Sequence, residues 1–356
     1  MYKKEIVFLI WQDKPGGIEV LLPQIINSFI KEYKFMAFVF RPLGKNKESV
    51  FKNIKIKTYY GSNYNLILYI KFIFFLLKRK NNIFHGFNVG PKILLIIKLL
   101  KIKNFIYSIH GTIYWKKSYQ KILLKIVWNL ALSNNFVFIA NSNYAKAVFK
   151  KEISDKTDLK IIYNPFNTKR FSYKVKNIKS SKELKIFYVG RLVDGKNLFK
   201  WIDISKFILV NYPNTKFYIY GNGYLYDQLN NYISRNHLSE KIVLKGFKKD
   251  IEKAYYENDL LLFLSQYESF GNIAVESILC GTPVIVSNIP SMEEIFKNYP
   301  EFLVSLNKNL SDEIIKKINQ YEYLVELAKK ASNEFKEKFA LENHIFAIRE
   351  IYENFD

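Results

Sequence analysis

Short apolar runs alternate with longer amphipathic runs along most of the chain. Short apolar runs bounded by turn residues are typical of buried strands, whereas longer runs with helical spacing of their apolar positions predict helices. This alternation predicts an α/β protein with parallel sheets that helices cover on both faces. The predicted strands are 5–10, 35–40, 53–59, 81–85, 103–109, 135–140, 159–163, 184–190, 215–220, 241–244, 259–264 and 283–287. The predicted helices are 18–31, 65–79, 90–101, 117–132, 142–151, 197–211, 224–235, 250–257 and 271–280, followed by a helical segment over 309–354.

The periodic pattern is interrupted between residues 164 and 182, where Lys, Asn and Ser accumulate. Such a composition favours a loop over a packed element. With 356 residues, the chain is long enough for two domains of ordinary size. The sequence therefore predicts a first domain over 1–170, a linker over 171–183 and a second domain over 184–338.

Two glutamates flank the start of a predicted helix in the second domain. The apolar run 260–264 predicts a buried strand, and Gly281 marks the end of the helix that follows it. That helix must begin near Gly271, where its first N–H groups form a natural anion site. Glu268 lies in the loop before this helix and Glu276 lies within it. The two carboxylates therefore cannot serve a single hydrogen-bonding group of a ligand.

A second loop of the same domain carries two cations. A predicted strand ends at Gly190, and a helix is predicted to start near Asn197, so Arg191 and Lys196 both project from the short connection. Open α/β sheets bind ligands at this carboxyl end of their strands. Arginine offers a fork for phosphate oxygens, and lysine adds a point charge. The pattern favours binding of a phosphorylated ligand.

The glutamate pair and the Gly-Arg-Leu…Lys segment over 190–196 resemble motifs of the retaining GT-B glycosyltransferases, specifically glycosyltransferase family 4. The resemblance covers the whole chain, weakly in the first domain and strongly over 183–290. It implies two Rossmann-like parallel-sheet domains that face a deep cleft. It also implies a final helix, over 339–356, that packs back on the first domain.

The resemblance implies roles for the residues of these motifs. Glu276 would hold the ribose of a nucleotide-sugar and Glu268 its sugar, while Arg191 and Lys196 would neutralise the diphosphate. Glu268, Arg191 and Lys196 are the predicted catalytic residues of the second domain. Further donor-binding positions, largely through the backbone, are Gly221, Phe270, Gly271, Asn272 and Ile273.

The first domain contributes two weaker matches. Gly16 and Gly17 follow the first predicted strand and resemble the family's Gly-Gly-x-Glu loop, which faces the donor. His110 follows the predicted strand 103–109, and the resemblance implies a catalytic position close to the donor sugar. A common glycine turn and a structural strand-end histidine are the alternatives for these positions.

The chain contains no Asp-x-Asp pair, the usual metal clamp for a nucleoside diphosphate, and its four histidines lack metal-site spacing. The charge of a leaving diphosphate would then be met by Arg191, Lys196 and the helix start near Gly271. We therefore expect a metal-independent enzyme that uses no cofactor.

The resemblance implies a retaining glycosyltransferase of the hexosyltransferase type, with UDP-, GDP- or another nucleotide-diphosphate sugar as donor. A lipid-linked saccharide of bacterial cell-surface polysaccharide or glycoconjugate synthesis suits the basic, apolar first domain as acceptor, and a soluble acceptor stays open. One alternative is a nucleotide-sugar epimerase or hydrolase of the same fold. Another is a non-enzymatic basic protein that binds membrane or nucleic acid. The sequence resembles no DNA- or RNA-reading motif, so we expect no nucleic-acid partner.

Positive charge is concentrated in the first half, where residues 1–181 carry 33 Lys and Arg against 8 Asp and Glu. No acidic residue lies between Glu48 and Glu152. The apolar runs Leu66–Leu77 and 93–100 are too short to span a bilayer. Beside so many cations, they predict contact with an anionic membrane surface.

The single cysteine, Cys280, suits a reducing compartment, and the first ten residues do not read as a signal peptide. We therefore expect a cytoplasmic protein, peripheral on the inner face of the cell membrane.

Overall fold

The computed structural model describes residues 3–12, 21–41, 49–51, 54, 56–61, 66–111, 118–133, 135–176 and 184–355. The chain divides into two compact units. The first unit comprises Met1–Pro165 and Glu342–Asp356, and the second comprises Phe166–Leu341.

Among the described residues, each unit is built on one parallel sheet, as the alternating pattern predicts. The strands of the first sheet are β1 (Glu5–Ile10), β2 (Lys34–Val39), β3 (Lys57–Tyr60), β4 (Ile83–Phe87), β5 (Phe105–Ile109), β6 (Phe136–Ala140) and β7 (Leu159–Ile161). Those of the second are β8 (Lys185–Val189), β9 (Lys216–Tyr220), β10 (Ile242–Gly246), β11 (Leu260–Phe263), β12 (Val284–Ser287) and β13 (Leu303–Val304). The order across the first sheet is β3, β2, β1, β4, β5, β6, β7, and across the second it is β10, β9, β8, β11, β12, β13.

Helices connect the strands of both sheets. In the first half of the chain they are α1 (Leu21–Phe29), α2 (Leu66–Leu77), α3 (Pro91–Leu99), α4 (Ser118–Ala131) and α5 (Asn143–Glu152). In the second half they are α6 (Leu198–Asn211), α7 (Tyr226–Arg235), α8 (Ile251–Glu257), α9 (Asn272–Leu279), α10 (Pro290–Ile295), α11 (Leu310–Asn319), α12 (Tyr321–Lys338) and α13 (Leu341–Glu353). In the described part of the chain, no helix is both long enough and apolar enough to cross a bilayer.

Two hydrophobic layers cover the sheet of the first unit. One layer contains buried side chains of α2, α3, α4 and α5, and the other contains those of α1 and α13. In α13, Ile348, Ile351 and Tyr352 are buried against this sheet. Arg349 also pairs with Glu32 at 2.5 Å. The predicted return of the final helix to the first domain is thus confirmed.

Three histidines lie in the first unit, of which His85 and His344 are buried and His110 is half-buried. His85 contacts the Tyr352 hydroxyl at 2.9 Å and the Ser108 hydroxyl at 2.7 Å. The Nδ1–H of His344 donates to the Tyr163 carbonyl at 2.9 Å. Burial lowers the pKa of His110 and of His344 to about 4, and it lowers the pKa of His85 well below its usual range. All three imidazoles are therefore neutral at pH 7.

We expect the first unit to lose stability as the pH falls from about 6.5 to about 4. The unfolded chain takes up protons near its ordinary histidine pKa, whereas the folded unit resists protonation until about pH 4. The loss approaches about 1.4 kcal/mol per pH unit for each buried histidine and stops below the folded pKa. Hydrogen exchange of α13 peptides, corrected for intrinsic rates, measures the effect.

The second unit provides an internal control, because its histidine, His237, is exposed. A His344→Gln variant, which keeps a donor for the Tyr163 carbonyl, should show a shallower pH dependence. Equal loss of protection in both units over this pH range would contradict the assignment.

Candidate active site

The predicted site residues of the second unit lie in loops at one edge of its sheet. Strands β9, β8 and β11 are neighbours and run parallel, so the loops that follow them emerge at the same edge. These loops carry Arg191 and Lys196 after β8, Gly221 after β9, and Glu268 after β11. The fold therefore collects at one edge residues that are up to 77 positions apart in sequence.

Close backbone contact holds the loops after β8 and β9 together. The Leu192 N–H donates to the Asn222 carbonyl at 3.0 Å, and the Leu225 N–H donates to the Leu192 carbonyl at 3.2 Å. A Cβ atom on Gly221 would lie 1.8 Å from the Gly190 carbonyl oxygen. Glycine at position 221 is thus required for the packing of these loops, whatever ligand they border.

Lys196 and Glu268 form an ion pair across the loops after β8 and β11. The Lys196 ammonium donates to Glu268 Oε1, and the two side chains are only 13% and 16% exposed. The ammonium also lies 5.5 Å from the centroid of the Phe263 ring. The sequence assigned these two residues to different parts of one ligand, and the structure places them in direct contact. Arg191, by contrast, has an exposed side chain.

The start of α9 has an unusual backbone. Gly271 occupies the N-cap position with φ 110°, a left-handed conformation, and a Cβ there would lie 2.0 Å from Met292 Cε. Only glycine fits this position without strain. Asn272 and Ile273 form the first turn of α9 and are half-buried. The first N–H groups of a helix have no partner within the helix, so they attract an anion.

The Phe270 side chain packs in the interior of the second unit rather than at this edge of the sheet. It is buried and packs against Phe166, with ring centroids 6.2 Å apart, and against Phe339, at 5.4 Å. A ligand at the start of α9 could therefore contact Phe270 only through its backbone.

Glu276 lies in α9 and is bonded to a buried tyrosine from α8. The Tyr255 hydroxyl donates to Glu276 Oε2 at 2.7 Å. Burial raises the pKa of Glu276 to about 7, although the Tyr255 hydrogen bond opposes the shift. Sequence reasoning missed Tyr255, because the contact depends on how α8 and α9 pack. The bond orients one carboxylate oxygen, and burial makes the charge of Glu276 sensitive to pH near neutrality.

This raised pKa predicts a pH-dependent affinity if Glu276 binds ribose hydroxyls as a carboxylate. Below about pH 7 the free carboxyl becomes protonated and loses acceptor capacity, so affinity should fall by up to about tenfold per pH unit. Above pH 7 the affinity should level off. Calorimetric titration with a nucleotide-sugar between pH 6 and pH 8 tests this, because its diphosphate diester does not titrate in that range.

The Glu276→Gln variant is the matched control for the pH titration. Its side chain cannot ionise, so its weaker affinity should be flat over the same range. A pH dependence that persists unchanged in this variant would assign the titration to another group.

His110 lies at the carboxyl edge of the first unit's sheet. Its backbone N–H donates to Asn88 Oδ1 at 2.8 Å, and its ring Nδ1 lies 3.1 Å from Asn164 Oδ1. Because an amide oxygen only accepts, Nδ1 carries the proton and Nε2 of the neutral ring is a hydrogen-bond acceptor. Such a nitrogen can accept from a sugar hydroxyl. Gly16 and Gly17, the other predicted positions in this unit, lie outside the described residues.

Asn141 is a polar residue at this edge to which the sequence assigned no role. It follows β6, next to the strand that precedes His110, and its side chain is buried. Among the described residues, neither its amide nitrogen nor its amide oxygen has a hydrogen-bond partner. Leaving such groups unpaired costs about 1–3 kcal/mol, so Asn141 marks a place where a polar ligand group or a water molecule would bind.

Two Rossmann-like units, with the candidate residues at the carboxyl ends of parallel strands, define the GT-B class. A family model described as "Glycosyl transferases group 1" matches residues 169–338, which cover both glutamates and both cations of the second unit. The second unit is thus similar to this family of glycosyltransferases over nearly its whole length.

Individual relatives match parts of the chain. An uncharacterised glycosyltransferase of Methanocaldococcus jannaschii is 29% identical over 228 residues, which are 63% of this chain and 61% of the relative. The UDP-Gal:alpha-D-GlcNAc-diphosphoundecaprenol alpha-1,3-galactosyltransferase of Escherichia coli is 26% identical over 65% of this chain and 64% of its own length. The chain thus matches less than two thirds of the length of each of these relatives.

The fold is similar to that of a solved structure over nearly the whole chain. The crystal structure of Anabaena HepE in complex with UDP-glucose superimposes with a TM-score of 0.79 and 21% identity. The superposition covers 99% of this chain and 100% of HepE. The GT-B fold expected from the sequence is therefore confirmed.

Proposed function

We propose that the protein transfers a sugar from a nucleotide-diphosphate sugar to a saccharide acceptor, with retention of the anomeric configuration. The observation that carries the proposal is the set of charged groups gathered at the carboxyl edge of the second sheet. Two cations, two carboxylates and the start of α9 come from separate loops and helices to this one edge. Cations with a helix N-terminus match a diphosphate, and carboxylates match sugar hydroxyls.

The donor would bind along this edge. Glu276 would accept from the ribose hydroxyls, with Tyr255 fixing its orientation. Arg191 and Lys196 would contact the diphosphate together with the first N–H groups of α9. Glu268, held by Lys196, would accept from hydroxyls of the transferred sugar. Within the first unit, His110 is proposed as a sugar-binding position that accepts a hydroxyl at Nε2.

Retention would follow because the acceptor attacks the anomeric carbon on the same face from which the leaving group departs. The bond from the anomeric carbon to the diphosphate oxygen breaks, and the bond to the acceptor oxygen forms in its place. The acceptor proton passes to a leaving phosphate oxygen, so no enzyme nucleophile is needed. The chain's own contribution is to hold the sugar and stabilise negative charge on the departing diphosphate through Lys196, Arg191 and α9.

The proposed donor is a UDP-, GDP- or other nucleotide-diphosphate hexose, and the transfer is proposed to need neither metal nor cofactor. Support comes from the two cations and the helix start, which can meet the leaving-group charge by themselves. Turnover that stops on addition of EDTA and returns with a divalent cation would overturn the metal-independent part.

The proposed acceptor is a lipid-linked saccharide of cell-surface polysaccharide or glycoconjugate synthesis. It is supported by the E. coli relative, whose name gives a diphosphoundecaprenol-linked acceptor. A lipid-linked acceptor would require the protein to work at the inner face of the cell membrane as a cytoplasmic, peripheral protein.

A two-stage screen tests the proposed function. Binding of UDP-, GDP- and ADP-sugars is measured first, and release of the nucleoside diphosphate is then followed with and without bacterial lipid extract. Release that depends on the extract, with sugar incorporated into lipid, is the expected result. Product formed without any acceptor would instead indicate an epimerase or hydrolase, and absence of nucleotide-sugar binding would contradict the donor assignment.

A further inference from the structure

Three helices of the first unit expose apolar side chains on the side that faces away from the sheet. Helices α2, α3 and α4 pack on the same face, because Phe72, Ile97 and Trp128 belong to one buried cluster. The side chains directed away from that cluster form what we call the outer helical face. It consists of Ile67, Ile70 and Phe74 of α2, Leu99 of α3, and Ile122 and Ile126 of α4.

The exposure of these residues follows helical periodicity. In α2, Ile67, Ile70 and Phe74 recur at spacings of three and four, whereas Phe72 and Leu76 on the opposite side are buried. Phe74 is 60% exposed and Ile122 is 65% exposed. Clustered apolar exposure of this kind marks an interaction surface rather than a requirement of the fold.

Basic residues border the outer helical face. Lys71 lies within α2 on its exposed side, and Lys78 and Lys80 follow Leu77. One hydrogen bond joins the segments that follow α2 and α3, and another joins α3 to α4. Asn104 Nδ2 donates to the Asn81 carbonyl at 3.4 Å, and the Lys98 ammonium donates to the Leu130 carbonyl at 2.8 Å. Lys78, Lys80 and Lys98 therefore lie near the same end of these neighbouring helices.

The stretch of sequence that contains these three helices has no acidic residue. From residue 49 to residue 151 the chain carries 18 Lys and Arg and no Asp or Glu. Lysines near helix C-termini also stabilise the helix dipole, which accounts for Lys98. That effect explains neither Lys71, in the middle of α2, nor the outward apolar side chains.

A surface with apolar side chains among cations fits one kind of partner best. Nucleic acid would match the charge but leave the isoleucines and Phe74 unburied. A second copy of the chain would bury them only by bringing like charges together, which is unfavourable. The headgroup region of an anionic bilayer accommodates both, because apolar side chains enter the acyl boundary and lysines meet the phosphates.

We propose that the outer helical face docks the protein on an anionic lipid membrane. The proposal stands on the residues of the first unit and does not depend on the donor site. The three helices would lie along the surface with Ile70, Phe74 and Ile126 inserted at the headgroup boundary.

Flotation with lipid vesicles tests the docking. Full-length protein is mixed with vesicles of equal parts phosphatidylglycerol and phosphatidylcholine, or of phosphatidylcholine alone, at physiological ionic strength. Wild type should float with the anionic vesicles. The Phe74→Ser/Ile126→Ser variant should partition onto the anionic vesicles at least about tenfold more weakly, because both positions lose apolar burial in the membrane. The Lys78→Glu/Lys80→Glu variant should also lose at least about tenfold.

Matched control variants test whether vesicle binding depends on the outer helical face itself or on any exposed apolar or basic side chain. Phe346 on α13 is 65% exposed on the other face of the same sheet, so Phe346→Ser should leave flotation unchanged. Lys31 and Lys156 are exposed outside the outer helical face, and Lys31→Glu/Lys156→Glu should retain most binding. Nucleotide-sugar affinity should be unaltered in every variant, which keeps this test independent of the proposed transfer.

Three outcomes would overturn the proposal. The first is absence of flotation with anionic vesicles. The second is equal loss in the Phe346 control and the Phe74/Ile126 variant. The third is concentration-dependent dimerisation, or RNA binding, that the Phe74/Ile126 variant abolishes while its vesicle binding is intact.

Discussion

The Lys196→Ala variant is expected to lose sugar transfer by about 10²–10³-fold in kcat/KM, because it removes a partly buried cation from the proposed diphosphate site. The same change leaves Glu268 without its ion-pair partner in a site that is mostly shielded from water. A second, smaller effect should therefore be a loss of stability of the second unit, since a shielded unpaired carboxylate is unfavourable. Steady-state kinetics and urea denaturation measure the two effects separately.

A double-mutant cycle with Glu268→Gln distinguishes catalysis from structural pairing. The residues are in contact, so their effects on stability should not add, and the double variant should recover much of the stability lost in Lys196→Ala. Transfer should stay low in the double variant. Lys253, which pairs with Asp250 on the exposed surface, is the matched control, and Lys253→Ala should turn over normally. Recovery of transfer together with stability would reduce Lys196 to a structural role.

The Glu276→Ala variant is expected to bind the nucleoside diphosphate at least about a hundredfold more weakly than wild type. A half-buried carboxylate that accepts from two ribose hydroxyls would make two charge-assisted hydrogen bonds, each contributing about 1.5–3 kcal/mol. Tyr255→Phe should weaken binding less, because it removes only the bond that orients Oε2. Calorimetry with the nucleotide selected by the donor screen gives both values.

The ribose assignment has its own control on the ligand side. A 2′,3′-dideoxy nucleotide lacks both hydroxyls, so wild type and Glu276→Ala should bind it equally. If the variant also loses affinity for the dideoxy nucleotide, Glu276 acts on another part of the ligand or on the fold.

Long helices and strands with a clear hydrophobic period could be predicted from the sequence. Very short elements, and the points at which packing ends a helix, could not. Helix α6 and strand β8 follow their predicted ranges closely. Strand β13, with two residues, is too short for any period to be visible. The segment over 309–354 forms three helices, which separate at Gln320 and near Ala340. Since neither glycine nor proline lies at these breaks, packing rather than local propensity ends the helices.

The candidate site shows the same division. Residue types and spacing place Arg191, Lys196 and Glu268 at strand ends, because a strand followed by a loop and a helix can be read locally. Their mutual arrangement depends on β8 lying beside β11, and strand order is not encoded in any short motif. The Lys196–Glu268 ion pair and the Tyr255–Glu276 hydrogen bond could therefore not be predicted.

The position of α13 has a consequence for how the chain is made. Tyr352 covers Phe29 and Tyr33 and bonds to His85, so one face of the first unit is closed by residues that follow the entire second unit in sequence. During synthesis that face of the first unit stays uncovered until the second unit and α13 have been translated. Its final folding is therefore late although its strands are made first, and a ribosome that stalls before α13 leaves an aromatic surface exposed to chaperones and aggregation.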